Sequence, residues 1–300
     1  LLGLVESIGD YAFYNCSELS DLTIPDSVTS IGTDAFAMTS CDALTVGAGL
    51  ASVSKADFGN VRALTVNGSG ATVLPAEAFR GEPVTSVSLT GVASLGAYAF
   101  AGTPLTSFSG MPAGLTTLPE GLFKDCASLT RFTDFGSVTE IGVSAFEHSG
   151  LTALDLPDGL TTIGSRAYAN CTKLFYAEIP ASVTSIAEDA FAGTPISVLV
   201  MKGAPPAGLA SAGLPAGAHV LYPEALSNAW DEVSAEGLTF VKRSSTGEFA
   251  PPDVSQNWAA RTDIYAHCGP LTADETWAAD KVHLVRNVVT VPAGRTLTIA

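Results

Sequence analysis

Residues 22–36 read LTIPDSVTSIGTDAF, and this stretch decides the fold of the 300-residue chain. Leu22 and Ile24 alternate with polar residues, which is the period of a β-strand with one buried face. A Pro-Asp-Ser turn follows, then two apolar residues three positions apart, and then the pair Ala35-Phe36. The stretch therefore predicts a strand, a turn, a short extended segment and a final turn, which we expect to be helical around the Ala-Phe pair.

The same pattern recurs along the first two thirds of the chain. Its aromatic position is occupied nine times, 21 to 23 residues apart, by Phe13, Phe36, Phe58, Phe79, Phe100, Phe123, Phe146, Tyr168 and Phe191. We number the coils one to nine by these aromatics, and each coil includes the strand that follows its aromatic. A unit of ~22 residues cannot enclose a core alone, so we expect the coils to stack as a right-handed solenoid. The aromatics should form a buried column, and the strands one parallel sheet roughly 40 Å long.

The repeat resembles that of a known family. The phrase Leu-x-Ile-Pro-x-Ser-Val-Thr-Ser-Ile-Gly-x-x-Ala-Phe at 22–36, with a near match at 154–168, is similar to the BspA-like leucine-rich repeat, also called the Treponema pallidum repeat. The aromatic-x-x-Cys endings at 13–16 and 168–171 fit the same pattern. The resemblance covers residues 1–202. It implies a leucine-rich-repeat solenoid with a parallel sheet on one face and short strands or helical turns on the other. It also implies a secreted or cell-surface protein that takes part in adhesion.

The last hundred residues do not follow the period. Residues 203–242 are predicted to form a C-terminal capping unit with a short helix at 224–230, and the polar, proline-containing residues 243–257 a linker. Residues 258–300 should begin a β-rich domain, in which 282–299 form two strands around a Pro-Ala-Gly turn. This stretch is similar to the opening coil of a right-handed parallel β-helix. We expect both ends of the chain to be cut from a longer protein.

Charge and composition exclude several classes of partner. The chain has 30 acidic and 14 basic residues, a formal net charge of −16. A polyanion such as DNA or RNA would be repelled, so we expect no nucleic-acid partner. No apolar run approaches the ~20 residues that span a bilayer, so membrane insertion is not expected either. The chain should be a monomer that needs no cofactor.

The cysteines and histidines do not form the patterns of a metal site or a catalytic pair. The five cysteines include no Cys-x-x-Cys motif. Cys16, Cys126 and Cys171 each follow a repeat aromatic by three residues, so we expect them to be buried packing residues, with a Cys16–Cys41 disulfide as an alternative for the first. Cys268 lies outside the repeats. His148 should be exposed on the convex turn, next to Glu147.

The outward positions of the strands are the best candidates for a binding site. They alternate with the buried leucines and are, coil by coil, Asp21/Thr23, Ala43/Thr45, Ala63/Thr65, Ser86/Ser88, Ser107/Ser109, Arg131/Thr133, Ala153/Asp155, Tyr176/Glu178 and Val198/Val200. Coils 1 to 5 carry small residues. Coils 6 to 8 carry Arg131, Asp155, Tyr176 and Glu178 within ~10 Å of one another, and an aromatic with charges on a rigid sheet is typical of a recognition patch. The alternative is that these residues only favour strands and keep the sheet soluble.

Three functions are compatible with the sequence. The first is a non-enzymatic cell-surface or secreted protein that binds an extracellular protein or glycan through its repeats. The second is the targeting region of a larger polysaccharide-active enzyme whose catalytic part follows residue 258. The third is a passive stalk. The carboxylates are dispersed, and no calcium loop or phosphate-binding loop is found, so no catalytic residue, metal ligand or cofactor-binding residue is predicted.

Overall fold

The computed structural model describes residues 5–58 and 60–243, and the backbone of four further strands between residues 264 and 299. In chain order the strands are β1 (Ser7–Ile8), β2 (Asp21–Ile24), β3 (Ser30–Ile31), β4 (Ser40–Val46), β5 (Asn60–Leu74), β6 (Ser86–Leu95), β7 (Ser107–Ser109), β8 (Thr117–Leu118), β9 (Glu140–Ile141), β10 (Thr162–Ile163), β11 (Tyr176–Ile179), β12 (Ser185–Ile186), β13 (Val198–Met201), β14 (His219–Pro223), β15 (Thr239–Arg243), β16 (Ile264–Pro270), β17 (Glu275–Trp277), β18 (Val282–Thr290) and β19 (Leu297–Ile299). Short 3-10 helices lie at Leu209–Ser211 and Glu224–Leu226, and helix α1 at Ser227–Trp230.

The strands stack from one coil to the next as the repeat predicts. The first sheet has the order β2-β4-β5-β6-β7, and another has the order β11-β13-β14-β15. A second row of two-residue strands, β8-β9-β10-β12, lies on another side of each coil, and β1 pairs with β3 in the same manner. The repeat neighbours pair in parallel, for example Leu22 with Leu44 and Leu44 with Leu64. The predicted leucine-rich-repeat solenoid is confirmed.

The main sheet is interrupted at coils 6 and 7, so the prediction of one continuous sheet of nine strands was wrong. Among the described residues, no strand of the main sheet lies between β7 and β11. Arg131 and Asp155 lie in this interval. The inward positions here carry Phe132 and Phe135, whose rings meet edge to face at 4.8 Å. Asp134 accepts hydrogen bonds from the N–H groups of two coil 5 residues, Gly110 and Met111. These two N–H groups therefore do not donate to backbone carbonyls of the neighbouring coil, as they would in a regular parallel ladder.

The turns that carry the repeat aromatics are not helical. Eight of the nine, all but that of Phe58, have left-handed residues on either side of the aromatic, such as Asp34 (φ 53°) and Met38 (φ 59°) around Phe36. Alternate N–H groups point to the next coil, as Phe13 N–H does to the Ala35 carbonyl at 2.7 Å. The N–H groups between them close turns within the coil, as in Cys16 to the Phe13 carbonyl at 3.2 Å. The left-handed residues replace the predicted helical turn because a helix would keep all of these bonds within one coil.

The aromatics form the core column. Seven of the nine, from Phe36 onward and including Tyr168, are fully buried, and Phe58 is nearly so. Their rings stack in two runs, from Phe13 to Phe58 and from Phe79 to Phe191, with centroids 5.0 to 6.2 Å apart. Phe13 is 40% exposed because it belongs to the first coil described and is covered on one side only.

The cysteines confirm part of the prediction. Cys126 and Cys171 are fully buried, as expected, but Cys16 is exposed, and the prediction that it is buried was wrong. Cys16 and Cys41 are both free thiols, so no disulfide joins them. The register explains this, because Cys41 pairs with Val61 at an inward strand position, whereas Thr39 takes the place of Cys16 in the second coil.

Beyond coil 9 the sheet continues through β14 and β15, and the predicted helix at 224–230 is present as a 3-10 turn followed by α1. Trp230 at the end of α1 is buried, and its indole N–H donates to the Gly203 carbonyl at 3.1 Å. By its contacts the chain divides into two compact units, Leu1–Leu221 with Asn228–Phe240, and Tyr222–Ser227 with Val241–Ala300. In the second unit β16 pairs in parallel with β18, and β17 with β19. Residues 244–257 of the predicted linker and the predicted Pro-Ala-Gly turn lie outside the described residues, and Cys268 lies in β16, of which the backbone is described.

Candidate functional site

The strand register places the predicted outward positions in line along the first sheet. Thr23, Thr45, Thr65 and Ser88 occupy successive pairing positions, and Ser109 extends the row on β7. On β11 and β13 the same positions are Tyr176 beside Val198 and Glu178 beside Val200. Because a parallel strand repeats every ~4.8 Å, side chains at these positions form rows along the solenoid.

Arg131 and Asp155 form an ion pair between coils 6 and 7. The Arg131 Nε donates to the Asp155 Oδ2 at 2.6 Å, and the two side chains are 70% and 40% exposed. The hydrogen bond to Asp155 raises the pKa of Arg131, which is protonated at any physiological pH in either case. The structure thus joins two of the four predicted site residues directly.

Tyr176 and Glu178 form a second cluster on coil 8. The Tyr176 hydroxyl donates to a Glu178 carboxylate oxygen, and the other oxygen of that carboxylate lies 2.9 Å from Lys202 Nζ. Both residues are half-buried, and Lys202 follows β13 directly. Lys202 is therefore a further member of this cluster. The sequence does not predict it, because Lys202 lies just past the outward positions of the strand.

The outward surface changes character at coil 9. Val198 and Val200 are both buried, so the prediction that they line the exposed face was wrong. Their apolar, β-branched side chains favour this environment, since burial of a valine is worth roughly 1.5 to 3 kcal/mol. The two outward strand positions of coil 9 are therefore closed to solvent.

Phe175 is an exposed aromatic that the sequence analysis also missed. Its ring is 58% exposed, directly before Tyr176. Both side chains lie outside the core because Leu174 and Ala177 take the inward positions on either side of them. We call the six residues Arg131, Asp155, Phe175, Tyr176, Glu178 and Lys202 the coil 6–9 patch.

The position of Phe175 is held by threonine or serine in neighbouring coils. There the hydroxyl donates to the backbone carbonyl of the preceding coil, as Thr106 does to Thr85 at 2.9 Å and Thr152 to Thr130 at 3.2 Å. Ser197 makes the same bond to the Phe175 carbonyl at 3.4 Å. A phenylalanine that interrupts a row of hydroxyls is a signal that alignment of the repeats with one another would have revealed.

A buried carboxylate lies in the aromatic turns. Glu147 is only 3% exposed and is held between Lys124 at 2.8 Å and Arg166, from the coils before and after it. Burial acts to raise the pKa of Glu147, but hydrogen bonds from Lys124, Arg166 and Ser144 outweigh it and hold the pKa at about 2. Its neighbour His148 is exposed, as predicted, and its Nδ1 lies 3.2 Å from Asp125. Glu147 is therefore ionised and fully paired at neutral pH.

A narrow gap in the packing, too small to hold a water molecule, lies beside the coil 6–9 patch, where the strand ladder is interrupted. It is lined by Phe132, Phe135, Phe146, Ala153, Asp155 and Tyr168, among others. The Tyr168 hydroxyl is buried without a hydrogen-bond partner among the described residues. Over the same residues no group of three or more metal-binding side chains is found. The helices of this part of the chain fall short of the length and hydropathy that crossing a membrane requires.

These features define a leucine-rich-repeat solenoid. The profile of the BspA-type leucine-rich-repeat region matches residues 3–103 and 93–203, in six copies. The match covers more than half of the chain, which therefore belongs to this family.

Several solved structures are similar to the chain, and the first of them shares its fold. A leucine-rich-repeat protein from Bacteroides ovatus is 18% identical, with a TM-score of 0.51 over 98% of this chain and 78% of that one. The leucine-rich-repeat protein of T. pallidum is 25% identical over 59% of this chain and 86% of its own, with a TM-score of 0.45. A leucine-rich cell-surface protein of Faecalibacterium prausnitzii is 22% identical over 78% and 80% of the two chains, with a TM-score of 0.38. No curated protein matches the sequence.

Proposed function

We propose that the protein is a non-enzymatic binding protein of the cell surface or the extracellular space, and that it holds its ligand at the coil 6–9 patch. The observation that carries the proposal is the patch itself. It combines an exposed phenylalanine, a tyrosine and two ion pairs on a rigid repeat scaffold, whereas the outward strand positions of coils 2 to 5 carry alanine, serine and threonine. Aromatic and arginine side chains supply most of the binding energy in protein interfaces.

The state of the buried ionisable groups favours binding over catalysis. Glu147 is the described carboxylate whose pKa departs most from its usual value, and that pKa is lowered to about 2. A general acid or base is most effective when its pKa lies near the working pH. Burial raises the pKa values of Cys126 and Cys171 to about 11, so neither thiol is ionised at neutral pH. These groups stabilise the solenoid and are poorly suited to proton transfer or nucleophilic attack.

The location outside the cell is part of the proposal. It is supported by membership of a family of surface repeat proteins. The net charge of −16 fits a protein that stays soluble and does not adhere to nucleic acid. The partner is an extracellular protein or glycan.

The test is a binding screen of the full chain against immobilised matrix proteins and polysaccharides. The screen is run beside a variant with Arg131→Ala, Tyr176→Ala and Glu178→Ala, whose fold is checked by circular dichroism and its melting temperature. We expect saturable binding to at least one member of the panel, weakened by about tenfold or more in the variant. Binding that is equal in the folded variant would move the site away from the patch, and no binding by either protein would favour a passive stalk.

A second candidate function rests on the strands after residue 264. Their parallel pairing is the arrangement found in β-helices, some of which act on polysaccharides. In that case the solenoid targets a larger enzyme to its substrate. Release of reducing sugar from a bound polysaccharide by a version extended beyond residue 300, and by no variant of the solenoid alone, would support this alternative.

A further inference from the structure

The charges of the coil 6–9 patch cancel one another. Arg131 is paired with Asp155 and Lys202 with Glu178, so the patch holds two cations and two anions within a chain of net charge −16. The Tyr176 hydroxyl already donates a hydrogen bond to Glu178. A charged ligand would gain no net attraction from a patch whose formal charges cancel, and it would compete with the ion pairs for their partners. An uncharged ligand can accept hydrogen bonds from the partly exposed N–H groups of Arg131 and Lys202 while the pairs stay intact.

The shape of the patch favours a flat, narrow ligand. Ala153 occupies the outward position between Arg131 and Tyr176, and it is exposed. Because Ala153 is small, the long side chains of Arg131 and Tyr176 flank it from the coils on either side, two coil spacings or about 10 Å apart. The side chain of Phe175, directly before Tyr176, lies mostly in solvent.

We propose that the patch binds a neutral polysaccharide, with the ring of Phe175 stacked on the C–H face of a pyranose. The inference rests on the proposed binding function and names the class of its ligand. A pyranose has a flat apolar face and a rim of uncharged hydroxyls. The apolar face matches an exposed aromatic ring, and the hydroxyls match the outer atoms of the paired Arg131, Asp155, Glu178 and Lys202.

Substitution at Phe175 separates this role from folding. Phe175→Thr restores the residue that Thr85, Thr106 and Thr152 provide in other coils, so the solenoid should remain folded. Phe175→Tyr keeps an aromatic ring. Arg62→Ala is the matched control, because Arg62 and Asp42 form an exposed ion pair of 3.3 Å in the part of the solenoid that lies far from the patch.

The experiment measures the affinity of the full chain and these variants for mannan, a soluble β-glucan and an arabinogalactan. Heparin is the anionic glycan, and fibronectin and fibrinogen are the protein ligands. We expect binding to at least one neutral polysaccharide, weakened by about tenfold or more in Phe175→Thr and changed by less than about threefold in Phe175→Tyr and Arg62→Ala. Raising the salt concentration from about 50 to 500 mM should change the affinity by less than about threefold, since both partners are locally neutral.

Three results would overturn the inference. Binding to heparin alone, with steep loss at high salt, would show that the patch recognises an anion. Binding to a protein of the panel alone, lost in the Arg131/Tyr176/Glu178 variant, would leave the proposed binding function intact and refute the glycan class. Binding to none of the ligands would count against both proposals.

Discussion

At the scale of single residues, the buried ion network around Glu147 has a consequence for stability. A carboxylate with a folded-state pKa of about 2, against 4.5 for the free side chain, stabilises the fold above about pH 5. This contribution is lost as the pH falls from about 5 to 2, because the unfolded chain takes up the proton first. Each unit of pKa difference is worth about 1.4 kcal/mol, which sets an upper limit of roughly 3 kcal/mol.

We therefore predict that Glu147→Gln lowers the free energy of unfolding by about 1 to 3 kcal/mol at pH 7, and by progressively less as the pH falls below 5. Urea unfolding at several pH values measures the difference. Glu77→Gln is the matched control, because Glu77 pairs with Arg80 at an exposed site and should contribute under about 1 kcal/mol. Equal losses for the two substitutions at pH 7 would show that the network around Glu147 is not stabilising.

The sequence did not reveal Glu147 or Phe175, and the reason is physical. A period of ~22 residues tells which positions face the core, and it placed Leu22, Leu44 and Leu64 in register. It does not tell whether Lys124 and Arg166 on the flanking coils will enclose a carboxylate between them. The exposure of Phe175 likewise depends on how its strand leaves the preceding turn.

At the scale of elements, the aromatic column was predictable from the repeat. Its polar member, Tyr168, carries a hydroxyl whose burial costs free energy. Tyr168 stacks on Phe146 at 5.4 Å and on Phe191 at 5.7 Å, with a buried hydroxyl that has no partner among the described residues. Burial also raises the pKa of this hydroxyl, so it stays neutral. Desolvating a hydroxyl without a compensating bond costs roughly 1 to 3 kcal/mol.

Replacing this tyrosine by phenylalanine should therefore stabilise the solenoid. We predict that Tyr168→Phe raises the free energy of unfolding by about 1 kcal/mol and the melting temperature by about 2 to 4 °C. Phe146→Tyr, which adds a hydroxyl to the neighbouring ring of the column, should lower both. Calorimetry measures the two variants, and a destabilised Tyr168→Phe would mean that the hydroxyl has a partner, such as a buried water.

The interruption of the main sheet could not be predicted from the repeat. Coils 6 and 7 keep the period, and their inward positions are still apolar. The regular ladder is lost because bulky Phe132 and Phe135 fill the inward side and Asp134 accepts two backbone N–H groups. The loss of a strand ladder at one place depends on side-chain volume and hydrogen bonding. A pattern of apolar residues contains no information on either.

At the scale of the whole molecule, a stack of near-identical coils carries one chemically distinct segment. The repeat ensures that every coil offers outward positions, so a binding site arises wherever substitution there is tolerated. Arg131, Asp155, Tyr176 and Glu178 were selected from sequence on that ground. The structure forms them into two paired clusters, while the role of these clusters in recognition is our proposal.

Hydrogen–deuterium exchange of the full chain, with and without the strongest binder of the panel, tests this proposal most directly. We predict that binding slows the exchange of backbone amides in the segments around residues 129–133, 151–156 and 174–179. Exchange in the strands of coils 1 to 5 should not change. Protection confined to the aromatic turns or to residues 264–299 would contradict the claim that the ligand is held at the coil 6–9 patch.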